Sequence, residues 1–320
     1  MLNTTGPISI GGSVVGESIN LEFGFTATRT TDMASLYRGA GIVSGGAPNV
    51  PTSGLISLAD FRGATNNVFV PPPAATLIQA DQTNFNLRNY LISLGWDGTS
   101  LVSAVFTINA GVVISSNSTS IPGFTTGGNF PPGSDVTIVN NGYILGMGGQ
   151  GGHGSTATLM NGTDKLGLPT TYYQFSAHGT SGLPGGTALA FNGSLDPLVS
   201  AKIKLTNNGI IGGGGGGGGG ASSIVQPYGP DGGGGRSGRT NTVVPGVWGY
   251  AGSFAGAGPG LVPSGHGNSG AGGNWGAGGD AGWAWPGDYL VSYGGAGGAA
   301  ITGLGGFTVL TVGTRYGAVS

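Results

Sequence analysis

The segments VTIVNNGYILGMGGQGG (136–152) and IKLTNNGIIGGGGGGGGG (203–220) share one form: an apolar strand, Asn-Asn-Gly, two or three apolar residues, then a run of glycine. Val136, Ile138, Ile203 and Leu205 alternate with polar residues, the period of a half-buried strand. Asn141-Gly142 and Asn208-Gly209 suit tight turns with positive φ, because glycine has no Cβ and asparagine tolerates the left-handed region. Each unit therefore reads as a strand, a structural glycine turn at Gly142 or Gly209, a short strand and a glycine rod.

A single glycine run reads as a flexible linker. Here the runs recur at Gly232 to Gly235, GAGPG (256–260), GNSGAGGNWGAGGDAG (267–282) and GGAGG (294–298), separated by aromatic residues and closed by the strand-like FTVLTVG (307–313). A linker needs none of that. No Gly-X-Y period is sustained, which excludes collagen. Polyglycine can form an extended three-fold helix whose N–H and C=O groups point outwards, and rods without side chains can approach closely and bond to one another. Ordering glycine is entropically expensive, so many rods must pack cooperatively.

Composition agrees with an ordered chain. Gly (73) and Pro (18) are abundant among 320 residues, yet only 7% are charged and 38% are hydrophobic, so neither repulsion nor polarity keeps the chain open. A net charge of -2 without a basic cluster gives no footprint for nucleic acid or an anionic membrane. The absence of Cys removes disulfides and thiolate metal sites. MLNTTGPISIGG has no signal-peptide pattern, and no apolar stretch is long enough for a membrane helix.

The fold class expected is mainly β with little helix, in three parts. Residues 1–68 form a small α+β module: Ile8 and Ile10, Val14 and Val15, then Ile19, Leu21 and Phe23 suggest short strands, with brief helical turns after Asp32 and Ser57. Val70-Pro71-Pro72-Pro73 is a stiff connector, opening a segment 69–135 of linker, helix and β-rich shaft or platform. Its helix starts at a cap on Asn84 or Asn86, carries Leu87, Tyr90, Leu91 and Leu94 on one face and stops at Gly95. Residues 136–320 form the glycine-rich domain of packed polyglycine II rods.

Catalytic and cofactor patterns are missing. Gly212 to Gly220 is followed by Ala-Ser-Ser, without the lysine of a phosphate loop. His153, His178 and His266 lack metal-ligand spacing, and Asp231, Asp280 and Asp288 read as loop caps, not paired acids. No enzyme, no cofactor and no metal site are expected. Trp248, Tyr250, Phe254, Trp275, Trp283, Trp285, Tyr289 and Tyr293 all fall between glycine blocks. They either plug the edges of the rods or stand at loop tips as anchors for a sugar or protein receptor, and Arg236 and Arg239 can reach an anionic saccharide.

The glycine blocks interrupted by aromatic, Asn and Ser loops resemble the polyglycine-sandwich domain of tailed-phage adhesins, the receptor-recognition tips of long tail fibres. GPISIGGSVVGESINLEFG (6–24) with ISLADFRG (56–63) is similar to the virion-end module of such proteins. The resemblance implies a virion tail-fibre or tail-tip protein, assembled in the host cytoplasm. It would bind a host surface polysaccharide or outer-membrane protein and contact other tail, baseplate or fibre proteins through residues 1–68. Tail fibres imply a homotrimer, although the rod-domain tips are monomeric. The alternative is a structural baseplate or fibre-connector component without receptor contact.

Overall fold

From Asp135 to Asn140, half-buried and fully buried side chains alternate, with Val136, Ile138 and Asn140 inward. The same alternation recurs one rung on, at 203–207, and the repeats stack as a parallel β-solenoid. The computed structural model describes residues 2–23, 25–38, 43, 49–64, 68–98, 100–128, 130–131, 134–192, 202–221, 235–236, 252–253, 255–257, 259–260, 269–282, 292–303 and 307–320.

The strands fall into rungs. The first holds β1 (Val68–Phe69), β2 (Leu77–Ile78), β3 (Gln82–Thr83) and β4 (Phe85–Asn86). The second holds β5 (Leu101–Ile108), β6 (Val113–Ser115) and β7 (Phe124–Thr125). The third has β8 (Asp135–Asn140) and β9 (Tyr143–Leu145), then an excursion containing β10 (Thr156–Thr163) and β11 (Pro169–Ala177), and closes at β12 (Leu189–Ala190). The fourth is β13 (Lys202–Asn207), β14 (Ile210–Gly212) and, after a longer excursion, β15 (Ile301–Thr302); the fifth is β16 (Phe307–Thr311) and β17 (Thr314–Tyr316). Three sheets stack these in chain order: β1-β5-β8-β13-β16 with β2 also on β5, β3-β6-β9-β14-β17, and β4-β7-β12-β15. All pairings in these sheets are parallel.

The core lies inside the solenoid, where Phe106, Ile108, Ile114, Phe124, Ile138, Ile144, Leu205 and Ile211 are buried together. Helix α2 (Leu87–Ser93) follows β4, and the Asn86 side chain accepts from Asn89 N at 3.0 Å as its N-cap. Leu87 and Leu91 pack into the core beside the first rung, where Phe85 meets Tyr90 and Phe124, and Trp96 stacks on Phe130. A boundary at 135/136 passes through one continuous sheet, since β5 and β8 pair from Ser103↔Asp135 to Ile108↔Asn140.

A second buried cluster, Leu2, Ile19, Phe23, Leu36, Val43, Val50, Phe61 and Ala64, forms the N-terminal region. The turns expected there are 3-10 helices at Met33–Leu36 and Leu58–Phe61, capped by Asp32 and by a Ser57/Asp60 capping box. Ile19, Leu21 and Phe23 do not form the expected strand. Ser18 caps a short helix, α1 (Ile19–Glu22), whose Leu21 N–H bonds the Ser18 hydroxyl. Ile19 and Phe23 are four apart, a spacing that fits both periods, and the cap settles it.

The Asn-Asn-Gly repeat also has another basis than expected. The strands flanking each turn pair with the next rung, not with each other. Neither Gly142 nor Gly209 has φ in the left-handed region. Glycine is required there because the corners stack: a Cβ on Gly142 would overlap Val112 O, and one on Gly209 would overlap Gly142 O. Positive φ occurs instead at Gly111 and Gly313, the equivalent corners of the second and fifth rungs.

The glycine runs are the excursions of rungs three and four, and they form a lattice around residues 212–221, all of them buried. The carbonyls of Gly212, Gly215, Gly218 and Ala221 accept from the N–H groups of Gly146, Gly149, Gly152 and Ser155 at 2.7–3.0 Å. Those of Gly213, Gly216 and Gly219 accept from Gly276, Gly273 and Gly270, and those of Gly214 and Gly217 from Gly298 and Gly295. The N–H groups of Gly214, Gly217 and Gly220 donate to Gly186, Leu183 and Thr180; those of Gly213, Gly216 and Gly219 donate to Tyr316, Ala277 and Asp280. The bonding direction repeats every third residue, so the central run is held from several sides, almost wholly by backbone groups.

Candidate functional site

Those hydrogen bonds also fix direction. Residues 146–155 and 277–280 run parallel to the central run, whereas 180–186, 270–276 and 295–298 run antiparallel. One end of the lattice, at Gly146, Gly186, Gly212, Gly276 and Gly298, adjoins the solenoid strands. The other end, at Ser155, Thr180, Ala221, Gly270, Gly282 and Ser292, is remote from them. Among the described residues, the third-rung excursion turns at that remote end, and Gly282 and Ser292 of the fourth meet there.

Among the described residues, three features occupy it. The first is the β10–β11 hairpin, an antiparallel ribbon paired from Thr156↔Ala177 to Thr163↔Pro169. Its tip is locked by Asp164, whose Oδ1 accepts from Leu166 N at 2.8 Å and Leu168 N at 2.9 Å. Gly167, with φ +80°, closes the turn onto the Asp164 carbonyl. This holds Leu166, 84% exposed, and Leu168, 59% exposed, outward, with Leu159, Met160 and Tyr172 exposed along the ribbon.

The second is Tyr293, 70% exposed, whose N–H bonds Ser181 Oγ at 3.1 Å and whose carbonyl accepts from Gly182. The third is the junction of Gly282 with Ser292, an antiparallel bridge with Gly282 N donating to Ser292 O at 2.8 Å. The Ser292 hydroxyl donates to Gly220 O, fixing this junction to the central run. Trp283, Trp285 and Tyr289 lie in the sequence between those two residues. They fall outside the described residues, as do Trp248, Tyr250, Phe254 and Arg239.

Trp275 and Arg236 belong to the opposite end. Trp275 is only 7% exposed; its ring lies 6.0 Å from that of Tyr316, and a Cβ on Gly212 would stand 3.2 Å from it. The Arg236 guanidinium stacks 3.7 Å from the Trp275 ring centroid, a cation–π contact. Trp275 therefore fills the junction of lattice and solenoid, the edge-plugging role.

Sequence reasoning passed over the hairpin. Its signal was present: TATLMNGT and PTTYYQFSA are strand-like runs on either side of DKLGL, which offers Asp and Gly for a turn. His153 and His178 are exposed, His266 is outside the described residues, and among the described residues no three His, Cys, Asp or Glu side chains converge on a metal position. An open cleft of about 500 Å³ on the outer sheet face is lined by Val70, Pro71, Pro73, Val105, Asp135 and Lys204. Lys204 Nζ holds both Asp135 oxygens at 2.8 Å, so the charges in the cleft are spent on each other.

The family model described as "Phage tail fibre adhesin Gp38" matches residues 74–320, and the chain belongs to that family. Membership places it in the phage tail fibre. It is similar, at 22% identity over 98% of this chain and 100% of the other, with a TM-score of 0.49, to a solved structure of the gp37-gp38 adhesin tip complex of the bacteriophage S16 long tail fibre. No curated protein matches the chain.

Proposed function

We propose that this adhesin binds a host-cell surface receptor with the remote end of the glycine lattice and meets the rest of the tail with residues 1–68. One observation carries the reading. The hairpin, Tyr293 and the residues that border the Trp283–Tyr289 segment all lie at the lattice end away from the solenoid. The lattice preorganises the loops, which lowers the ordering cost on contact, and several copies add avidity.

The rods are read as polyglycine II helices, on the strength of the three-residue hydrogen-bonding period. The receptor is a surface polysaccharide or outer-membrane protein, and Trp248, Tyr250, Phe254, Trp283, Trp285, Tyr289 and Arg239 remain candidate contacts. The mechanism is binding without chemistry. The homotrimer of tail fibres is part of the reading, and a monomeric mass by light scattering removes it.

The test is binding of the labelled full chain to susceptible and resistant cells. Saturable binding to susceptible cells alone supports the reading. A folded chain that binds neither is a structural component of the tail.

A further inference from the structure

We propose that, of the Asn-Gly pairs lying wholly within the described residues, Asn161-Gly162 is the preferred site of spontaneous deamidation, and that the solenoid corner protects the Asn-Gly pairs of the repeat from the same reaction. Three Asn-Gly pairs lie wholly within the described residues: Asn141-Gly142, Asn161-Gly162 and Asn208-Gly209. In each, the glycine nitrogen can attack the asparagine Cγ, unhindered by a Cβ. The new N–Cγ bond forms as the Cγ–Nδ2 bond breaks, and Nδ2 leaves as ammonia with the proton given up by the attacking nitrogen. Water then opens the five-membered imide at either carbonyl, giving aspartate or isoaspartate. One water enters and one ammonia leaves, with no change of oxidation state.

The corner holds its reacting groups apart. Gly142 N donates to Asn140 Oδ1 at 3.1 Å, and Asn141 Oδ1 accepts from Asn208 Nδ2 at 2.9 Å. Gly209 N donates to Asn140 O at 2.9 Å. Imide formation requires backbone rotation, and the stacked corners leave no space for it, since even a Cβ on either glycine overlaps a neighbouring carbonyl.

The Asn161-Gly162 pair is more loosely held: a Cβ on Gly162 would meet not backbone but the Tyr172 side chain, at 2.8 Å, and that side chain is exposed and can move. Asn161 is exposed on β10 opposite Thr171, and its side-chain amide forms no hydrogen bond among the described residues. Gly162 lies opposite Thr170 in a ribbon of only two strands. Such a ribbon is marginally stable in water, so it opens locally far more often than a packed solenoid corner. Conversion to isoaspartate adds a backbone carbon to β10 and shifts its pairing towards the tip.

The experiment is peptide mass mapping of the intact folded chain, sampled over time in mildly alkaline buffer, with a parallel sample unfolded in urea. Asn161 is expected to convert at least about tenfold faster than Asn141 or Asn208 in the folded chain, with the three rates converging in urea. Conversion at the corner pairs as fast as at Asn161 overturns the proposal. So does an unchanged ranking in urea, which would assign the difference to neighbouring sequence and not to the fold.

Discussion

Asn140 and Asn207, separated by 67 residues in the chain, lie side by side in the solenoid interior with Asn140 Nδ2 donating to Asn207 Oδ1 at 2.8 Å. Asn207 Nδ2 passes the ladder on to Val312 O at 3.0 Å and Thr314 O at 3.3 Å. Three rungs are thereby joined at one corner. Asn207→Ala leaves a buried amide and two carbonyls short of partners, and is expected to cost about 1–3 kcal/mol in chemical denaturation. An unchanged midpoint would show that the ladder contributes nothing.

The central run makes a sharper forecast. A Cβ on Gly214 would overlap Met147 O, and one on Gly217 would overlap Gln150 O, both backbone atoms. Gly214→Ala or Gly217→Ala is expected to prevent soluble, folded expression. Gly256→Ala, where nothing lies within 4 Å, is expected to behave as the parent in the same expression and melting assays.

Trp275→Ala is expected to destabilise by about 3–5 kcal/mol, the usual cost of emptying a buried aromatic site, read as a lowered melting temperature. Trp275→Phe keeps most of the packing and should recover much of the loss. Arg236→Ala should cost at most about 1 kcal/mol, the scale of a partly exposed cation–π contact.

Leu166→Ser with Leu168→Ser should leave the melting temperature unchanged, because both side chains are exposed and the turn depends on Asp164. Under the receptor-binding reading the pair weakens cell binding by about tenfold, the order expected for losing an apolar anchor. Equal binding by parent and variant would remove the hairpin from the contact surface.

Lys204→Ala removes the cleft ion pair. Both side chains are partly exposed, at 32% and 47%, so the expected change is within about 1 kcal/mol and insensitive to the choice of partner mutated. A larger loss would mean that the pair organises the sheet face.

What could be read from the sequence divides along physical lines. The helix, with Asn84 or Asn86 as its cap, the β runs within 101–114 and 307–313, and ordered glycine were all legible, because caps, β-branched runs and recurrence are local signals. The solenoid was not. Asn-Asn-Gly looks the same whether its flanking strands fold back on each other or stack on the next rung, and only contacts 67 residues apart distinguish the two. The aromatic residues looked alike for a similar reason. Whether Trp275 faces the junction or the solvent depends on which end of the lattice its turn occupies, and that is set by the Gly276–Gly213 hydrogen bond and by packing against Gly212 and Tyr316 far away in sequence.

The way the lattice is rooted has a mechanical consequence. Each excursion leaves the solenoid from a strand of the second sheet and returns to a strand of the third, within one rung. A pull applied at the remote loops is therefore directed along the glycine segments, across the hydrogen bonds that join them. Those bonds are loaded in shear and must give way together, whereas a load at right angles would peel them one at a time. Under the receptor-binding reading, tension between a cell surface and a moving particle would meet the lattice in its strong direction.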